Sequence, residues 1–386
     1  MKNFNDWQLR QSICLILLLF SYSSHASLGD RLPEFKDCVA VGRRLTFPSF
    51  LPHPIDKRSS WRFNQRCAKV TSVSPANTAY VSYLLSRVPE AILFHLQINW
   101  LIFYFVFAIA IHRRLLLWDC PAECDYTCQH VITDRRLARD PPYLQSVLQF
   151  HGKWPFHRFL GMQEPFSVLF SLFNYLAHQH GMANIRKNIP PSYSLRPYYL
   201  LFGYFGLASW IFSMIFHARD FGLTEKLDYF AAGASVLYGL YFAPIRVFRL
   251  DKGNGDPSRK SVLRAWTVLC VALYVAHVCY LSLWTWDYSY NMAANVAVGF
   301  VTNILWSTFS VMRYRRLKRT WAAWPGLIVA WIVLAMSLEL LDFPPWRGMI
   351  DAHSLWHLGT VIPTIWWYRY VWRRGLWSFV GSWYVL

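Results

Sequence analysis

The feature that most constrains this chain is a series of apolar stretches after residue 150, each close to the twenty or so residues a helix needs to cross about 30 Å of hydrocarbon. They run over 164–180, 198–217, 228–248, 262–284, 288–310, 323–341 and 353–372, with polar loops between them and breaks such as Pro190-Pro191 and Pro344-Pro345. One soluble core cannot absorb so much apolar chain. With 55% hydrophobic, 18% aromatic and only 16% charged residues, disorder and a coiled coil are excluded. The expected fold is therefore an all-α membrane protein. Its seven-transmembrane-helix bundle occupies 161–375, and a cytosolic tail follows over 376–386.

The net charge of +18 comes from 39 Lys+Arg against 21 Asp+Glu. It does not point to nucleic acid, because the basic residues fall between apolar stretches and not on one soluble face. They alternate by loop. Arg186, Lys187 and Arg196 follow the first stretch, Arg246, Arg249, Lys252, Arg259 and Lys260 the third, Arg313, Arg315, Arg316, Lys318 and Arg319 the fifth, and Arg373 and Arg374 the last. Loops two and six balance their basic residues with acids, and loop four has no Lys or Arg. Positive loops stay cytosolic, so the even loops face the lumen.

The N-terminus agrees with that orientation. Lys2 and Arg10, the apolar run 13–20 and Ser24-His25-Ala26 form a signal peptide over 1–26, with cleavage near Ala26. A cysteine-containing lumenal region then spans 27–160, where Cys38, Cys67, Cys120, Cys124 and Cys128 are structural disulfide candidates. The i, i+4, i+8 spacing of the last three matches no usual zinc or iron-sulfur pattern. Five is odd, so either one thiol stays free or a partner is missing. The run 92–111 is apolar enough to span, but an eighth span there would turn every later loop inside out, so it is expected to pack on the lumenal region or the membrane surface.

Ionisable groups at the ends of apolar spans are costly and point to function. Ser213 and His217 lie one helical turn apart on one face. Asp228 opens the next stretch and returns to the same depth. The last stretch starts with His353 and His357, an i, i+4 pair that one ion can bridge. By the loop charges all three imidazoles sit at the lumenal side at one depth. Three histidines with an open fourth position form a zinc hydrolase pattern, in which the ion acidifies a water. Asp351, and equally Asp342 or Asp220, could orient a ligand imidazole or simply be solvated in a lumenal loop. The competing reading is a receptor or transporter whose polar groups bind a ligand or relay protons.

Several long motifs carry a resemblance: SLGDRLPEFKDC at Ser27, LLLWDCPAECDYTCQ at Leu115, QFHGKWPFHRFLGMQEPFSVLFSLFN at Gln149, FSMIFHARDFGLTEKLDY at Phe212 and ELLDFPPWRGMIDAHSLWHL at Glu339. In this order they resemble the endoplasmic-reticulum family of GPI-anchor lipid remodelling phospholipases, related to alkaline ceramidases and adiponectin-receptor-like proteins. The resemblance implies Zn2+ on His217, His353 and His357 with Ser213 and Asp228 beside it. It implies phospholipase A2-like removal of the sn-2 acyl chain from the phosphatidylinositol of GPI-anchored proteins, which with membrane lipids would be the partners. It also implies the endoplasmic-reticulum membrane as location, active site lumenal and C-terminus cytosolic. Non-enzymatic receptor or cargo-chaperone function and ceramidase-like amide hydrolysis are the alternatives.

The segment 41–111 carries none of these motifs and holds the surplus apolar run, as a translated intron would. Transcript sequencing is expected to find messenger lacking it; reads running straight through it would refute that origin.

Overall fold

A computed structural model describes residues 27–46, 113, 115–139, 147–252 and 257–380. The signal peptide, Cys67, the run 92–111 and the last six residues lie outside the described residues, as does the side chain of Cys120. The chain divides into two compact units, one made of Ala26–Gln163 with Pro344–Met349, the other including Glu164–Phe343 and Ile350–Leu386.

The smaller unit contains helices α1 (Leu28–Arg31), α2 (Pro33–Thr46) and α3 (Cys120–Leu137). Asp119 caps α3 by accepting from Ala122 N at 2.9 Å, which satisfies one orphan donor of the first turn. Its core is small, with Phe35, Cys128, Ile132 and Phe150 buried together and the Phe35 and Phe150 rings 4.7 Å apart. So little apolar area needs a covalent supplement. A disulfide joins Cys38 on α2 to Cys128 on α3, and Cys124 is disulfide-bonded as well. Gly29 is required by packing, since a Cβ there would run into Phe150 and the Gln149 carbonyl.

Arg158 is the polar centre of this unit. Its guanidinium lies 3.2 Å from the Trp118 ring centroid and 3.6 Å from that of Tyr126, and it pairs with buried Glu123 at 2.6 Å. Burial pulls the Arg158 pKa down to about 10 against the opposing pull of the Glu123 carboxylate, so the side chain remains charged at neutral pH.

The larger unit has seven helices among the described residues: α4 (Pro165–Asn188), α5 (Arg196–Ala218), α6 (Gly222–Val247), α7 (Pro257–Cys279), α8 (Tyr288–Leu317), α9 (Trp324–Leu341) and α10 (Ala352–Val380). They overlap the apolar stretches read from the sequence, and several run past them. Basic residues occupy the last turns, Arg186 and Lys187 on α4 and Arg315 and Arg316 on α8, where they favour the negative end of the helix dipole. Apolarity therefore stops before the helix does. Among the described residues, five segments are long and apolar enough to cross a membrane: Arg196–Ala218, Gly222–Val247, Pro257–Trp284, Tyr288–Leu317 and Thr320–Leu341. Many of their large apolar side chains, such as Val268, Val271, Leu283 and Phe300, are exposed, as on a surface covered by lipid tails.

Neighbouring helices close a circuit, α4 to α5, α5 to α6, α6 to α8, α8 to α9, α9 to α10 and α10 back to α4, with α7 against α6. At one end sits the apolar core, including Met182 and Ile185 from α4, Tyr199 from α5, Phe242 from α6, Trp306 from α8 and Tyr368 from α10. Close backbone approach there depends on glycine. A Cβ on Gly181 would overlap the Tyr368 ring and one on Gly206 the His178 ring.

Removing the guanidinium of Arg158 leaves buried Glu123 with only the longer Arg113 contact at 3.4 Å, so Arg158→Ala is expected to destabilise the smaller unit by up to about 3–5 kcal/mol. Adding Glu123→Gln should recover much of the loss. Thermal denaturation followed by protease resistance of this unit checks both; equal loss in the single and double variants would dismiss the ion pair.

Candidate metal centre

The opposite ends of the same helices meet in a buried polar cluster. Helices alternate in direction, so the start of α4, the end of α5, the start of α6, the end of α9 and the start of α10 share one end of the unit. Glu164 precedes α4 and is attached twice to the end of α5. Its backbone N–H donates to the His217 carbonyl at 3.0 Å, and its Oε2 accepts from His217 Nδ1 at 2.7 Å. Glu339, near the end of α9, accepts from His353 Nδ1 through Oε2 at 2.6 Å. The third imidazole uses a hydroxyl: Ser171 Oγ lies 2.9 Å from His357 Nδ1 and donates to the Ser167 carbonyl at 2.7 Å.

These contacts set the tautomers. A carboxylate can only accept, so Nδ1 carries the proton in His217 and His353. Ser171 gives its proton to Ser167 O and so accepts from Nδ1 of His357. In neutral rings, the form a metal takes, all three Nε2 atoms then carry the lone pair. One ligand atom from each ring lies within 4.8 Å of the others, and the ring centroids form a triangle with sides of 5.0, 5.0 and 4.5 Å.

The arrangement fits a cation. His217 Nε2 and His353 Nε2 stand 3.3 Å apart, close enough for one ion to bind both. The edge of a tetrahedron built on zinc–nitrogen bonds of about 2.05 Å is also about 3.3 Å. The side chains of Glu164 and Glu339 are 5% and 10% exposed, so two carboxylates sit largely out of water. Neutral imidazoles do not balance them, whereas a dication between the rings does.

Helix α10 is held in register from both sides. Asp351 Oδ1 accepts from Ser354 N at 2.8 Å, and Ser354 Oγ accepts from Asp351 N at 3.0 Å, a reciprocal cap that starts the helix just before His353. Asn174 on α4 donates to the His357 carbonyl at 2.7 Å. Trp210 on α5 packs edge-on against the His357 ring at 5.2 Å.

The three histidines expected as ligands thus come together, and buried Ser213 joins them through Ser171 Oγ at 3.0 Å. Asp228 is buried on α6. It falls in the second turn and not at the helix start, because Thr224 accepts from Phe221 N at 2.9 Å and begins the helix at Gly222. The Nδ1 partners are Glu164, Glu339 and Ser171, while Asp351 caps α10, Asp342 ends α9 in a left-handed conformation and Asp220 lies in the turn between α5 and α6. The missed residues did carry a signal: Glu339 is a carboxylate inside the apolar run AMSLELL, the costly placement that marks function.

No solved structure matches this chain. Among curated proteins, Protein PER1 homolog of Schizosaccharomyces pombe is 43% identical over 263 residues, covering 68% of this chain and 76% of that protein. Protein PER1 of Saccharomyces cerevisiae is 31% identical over 385 residues, covering 92% and 94%. The human GPI-specific phospholipase A2-like PGAP3 is 36% identical over 252 residues, covering 65% and 74%. A model of the Per1-like family matches residues 110–374, which include every residue of the histidine cluster, and the chain therefore belongs to the Per1-like family.

Proposed function

We propose that this protein is a seven-span hydrolase of the endoplasmic-reticulum membrane that removes the sn-2 acyl chain from the phosphatidylinositol of GPI-anchored proteins. The observation that carries the hydrolase reading is the convergence of three Nε2 lone pairs, each fixed through its own Nδ1 partner. The substrate follows the name borne by the PGAP3 relatives, GPI-specific phospholipase A2-like. In this reading the helices counted as spans are α4 to α10. Two of them, α4 and α10, lie outside the five most apolar segments, and both carry buried polar residues of the cluster on their inward faces. The histidine end and the smaller unit face the lumen, and the C-terminus faces the cytosol.

His217, His353 and His357 would hold the ion. A divalent cation there supplies Lewis acidity for the ester carbonyl and for the attacking water. Glu164, Glu339 and Ser171 keep the three rings in the ligating tautomer, so none must rotate or lose a proton during turnover. Asp228 takes the proton of the water that adds to the ester. Ser213 orients that water or donates to the oxyanion. Its placement opposes a covalent role, since the group within hydrogen-bond reach of its hydroxyl is Ser171 and not a base. Water adds to the acyl carbon, the ester C–O bond breaks, the proton reaches the departing glycerol oxygen, and fatty acid and lyso-lipid result.

Two experiments test this. In cells lacking the protein, wild type should restore remodelled GPI lipids by mass spectrometry, whereas His217→Ala, His353→Ala or His357→Ala should leave unsaturated diacyl anchors accumulating although each variant reaches the same membrane. Full restoration by His357→Ala would mean a scaffold or receptor. Glu164→Gln and Glu339→Gln keep the shape and remove the charge, so each should lower metal affinity or activity about 10–100-fold; unchanged metal content and activity in both would rule out their role in holding the rings.

A further inference from the structure

The end of the larger unit away from the histidines holds a cavity of about 830 Å3 lined by Arg316, Arg319, Arg369 and Arg373 together with Trp321 and Trp324. His357 and Arg373 both lie on α10, sixteen residues apart, which is about 24 Å along a helix axis. That is close to the thickness of a bilayer's hydrocarbon. The cavity therefore opens at the level of one headgroup layer while the histidines lie at the other. No carboxylate lines it, and among the described residues none of the four arginines has an ion-pair partner. Four guanidinium groups that repel one another around one open cavity are stabilised by a bound polyanion.

The walls are set by packing. Lys318 ends α8 in a left-handed conformation, φ 49°, and the turn after it is fastened to α8 by Ser310 Oγ donating to the Ala322 carbonyl at 2.8 Å. Arg313 stacks over Trp321 at 5.2 Å. Trp324 at the start of α9 meets Trp366 of α10 edge-on at 6.0 Å. The arginines thus project from three anchored segments into one space, with indoles beside them at the depth where Trp favours the membrane interface.

We propose that this cavity binds the phosphate-bearing headgroup of an anionic phospholipid from the leaflet opposite the histidine cluster. Planar guanidinium groups take phosphate oxygens in pairs, and the indoles border the acyl chains as they leave the headgroup. A free sugar phosphate offers the same oxygens but no chains for the aromatic rim, which favours the lipid. The inference is independent of what the histidines do.

The test uses the full chain in phosphatidylcholine nanodiscs, with thermal stability followed against added dioctanoyl phosphatidylinositol 4-phosphate, inositol 1,4-bisphosphate or dioctanoyl phosphatidylcholine. The anionic lipid should raise the midpoint saturably, the neutral lipid should not, and the soluble bisphosphate should bind at least tenfold more weakly. Arg369→Gln with Arg373→Gln should weaken the lipid response about 100-fold, since each removes charge-assisted bonds. Arg316→Gln with Arg319→Gln tests the same wall should the first pair not fold. Lys187→Gln with Arg264→Gln, basic residues at the same end but outside the cavity, should change nothing. Equal weakening by that control pair would show diffuse attraction to charge, equal binding of the soluble bisphosphate would remove the lipid, and an undiminished response in the cavity variants would overturn the site.

Discussion

The hydrogen bond from an imidazole Nδ1 to a buried acceptor is the interaction on which the polar end of this molecule depends. Once in Glu164, once in Glu339 and once in Ser171, an acceptor fixes both the orientation of a ring and the nitrogen that keeps its lone pair. Without those acceptors each ring could turn or change tautomer, and three histidines at one depth would be no more than interfacial polar residues. The cost is two carboxylates largely out of water, acceptable only if positive charge is returned to them. A metal between the Nε2 atoms would return it through the rings.

The larger unit separates its tasks by end. Met182, Ile185, Tyr199, Phe242, Trp306 and Tyr368 pack where no chemistry is assigned, and Gly181 and Gly206 let the helices approach there closely enough to lock. The histidine end is left to hydrogen bonds, whose directional geometry suits a site in which a fraction of an ångström matters. Asn174 links the two regions from the middle of α4. It is fully buried and donates both to the Phe170 carbonyl on its own helix and to the His357 carbonyl on α10. A polar side chain in that position costs stability unless both ends are satisfied, and here they are.

Much of this was legible in the residues because membrane helices announce themselves by length and apolarity, and because ionisable groups in them stand out. The i, i+4 pair His353 and His357, the pair Ser213 and His217, and the alternation of loop charge placed three imidazoles together before any coordinates. What stayed hidden is what depends on neither period nor composition. Ser171 looks like any small polar residue in an apolar span, and only the approach of α10 to α4 makes it the partner of His357. Asp351 looked like an orienting group because it adjoins His353, yet a helix start needs a cap and the cap claimed it. Of the cysteines, Cys38 and Cys128 are ninety residues apart, and no spacing rule selects that pair from five.

Among the described residues five segments pass the test of length and apolarity for a membrane span, whereas the loop charges demand an odd number compatible with a lumenal start. Five and seven both meet that parity, so the charges alone do not choose. The proposal counts α4 and α10 as spans because of where they sit. Each takes its place in the circuit, α4 between α5 and α10, and α10 between α4 and α9, and each keeps an outward apolar face, with Leu169, Leu172, Phe173 and Leu176 exposed on α4 and Leu358, Ile362 and Ile365 on α10. The inward faces carry Ser167, Ser171, Asn174 and His178 on α4, and His353, Ser354 and His357 on α10, all turned away from lipid. Low mean hydropathy in these two helices thus follows from what they hold. A span whose inward face carries buried polar residues can fall short in mean hydropathy while its outward face stays apolar, which is the physical ground for proposing seven spans.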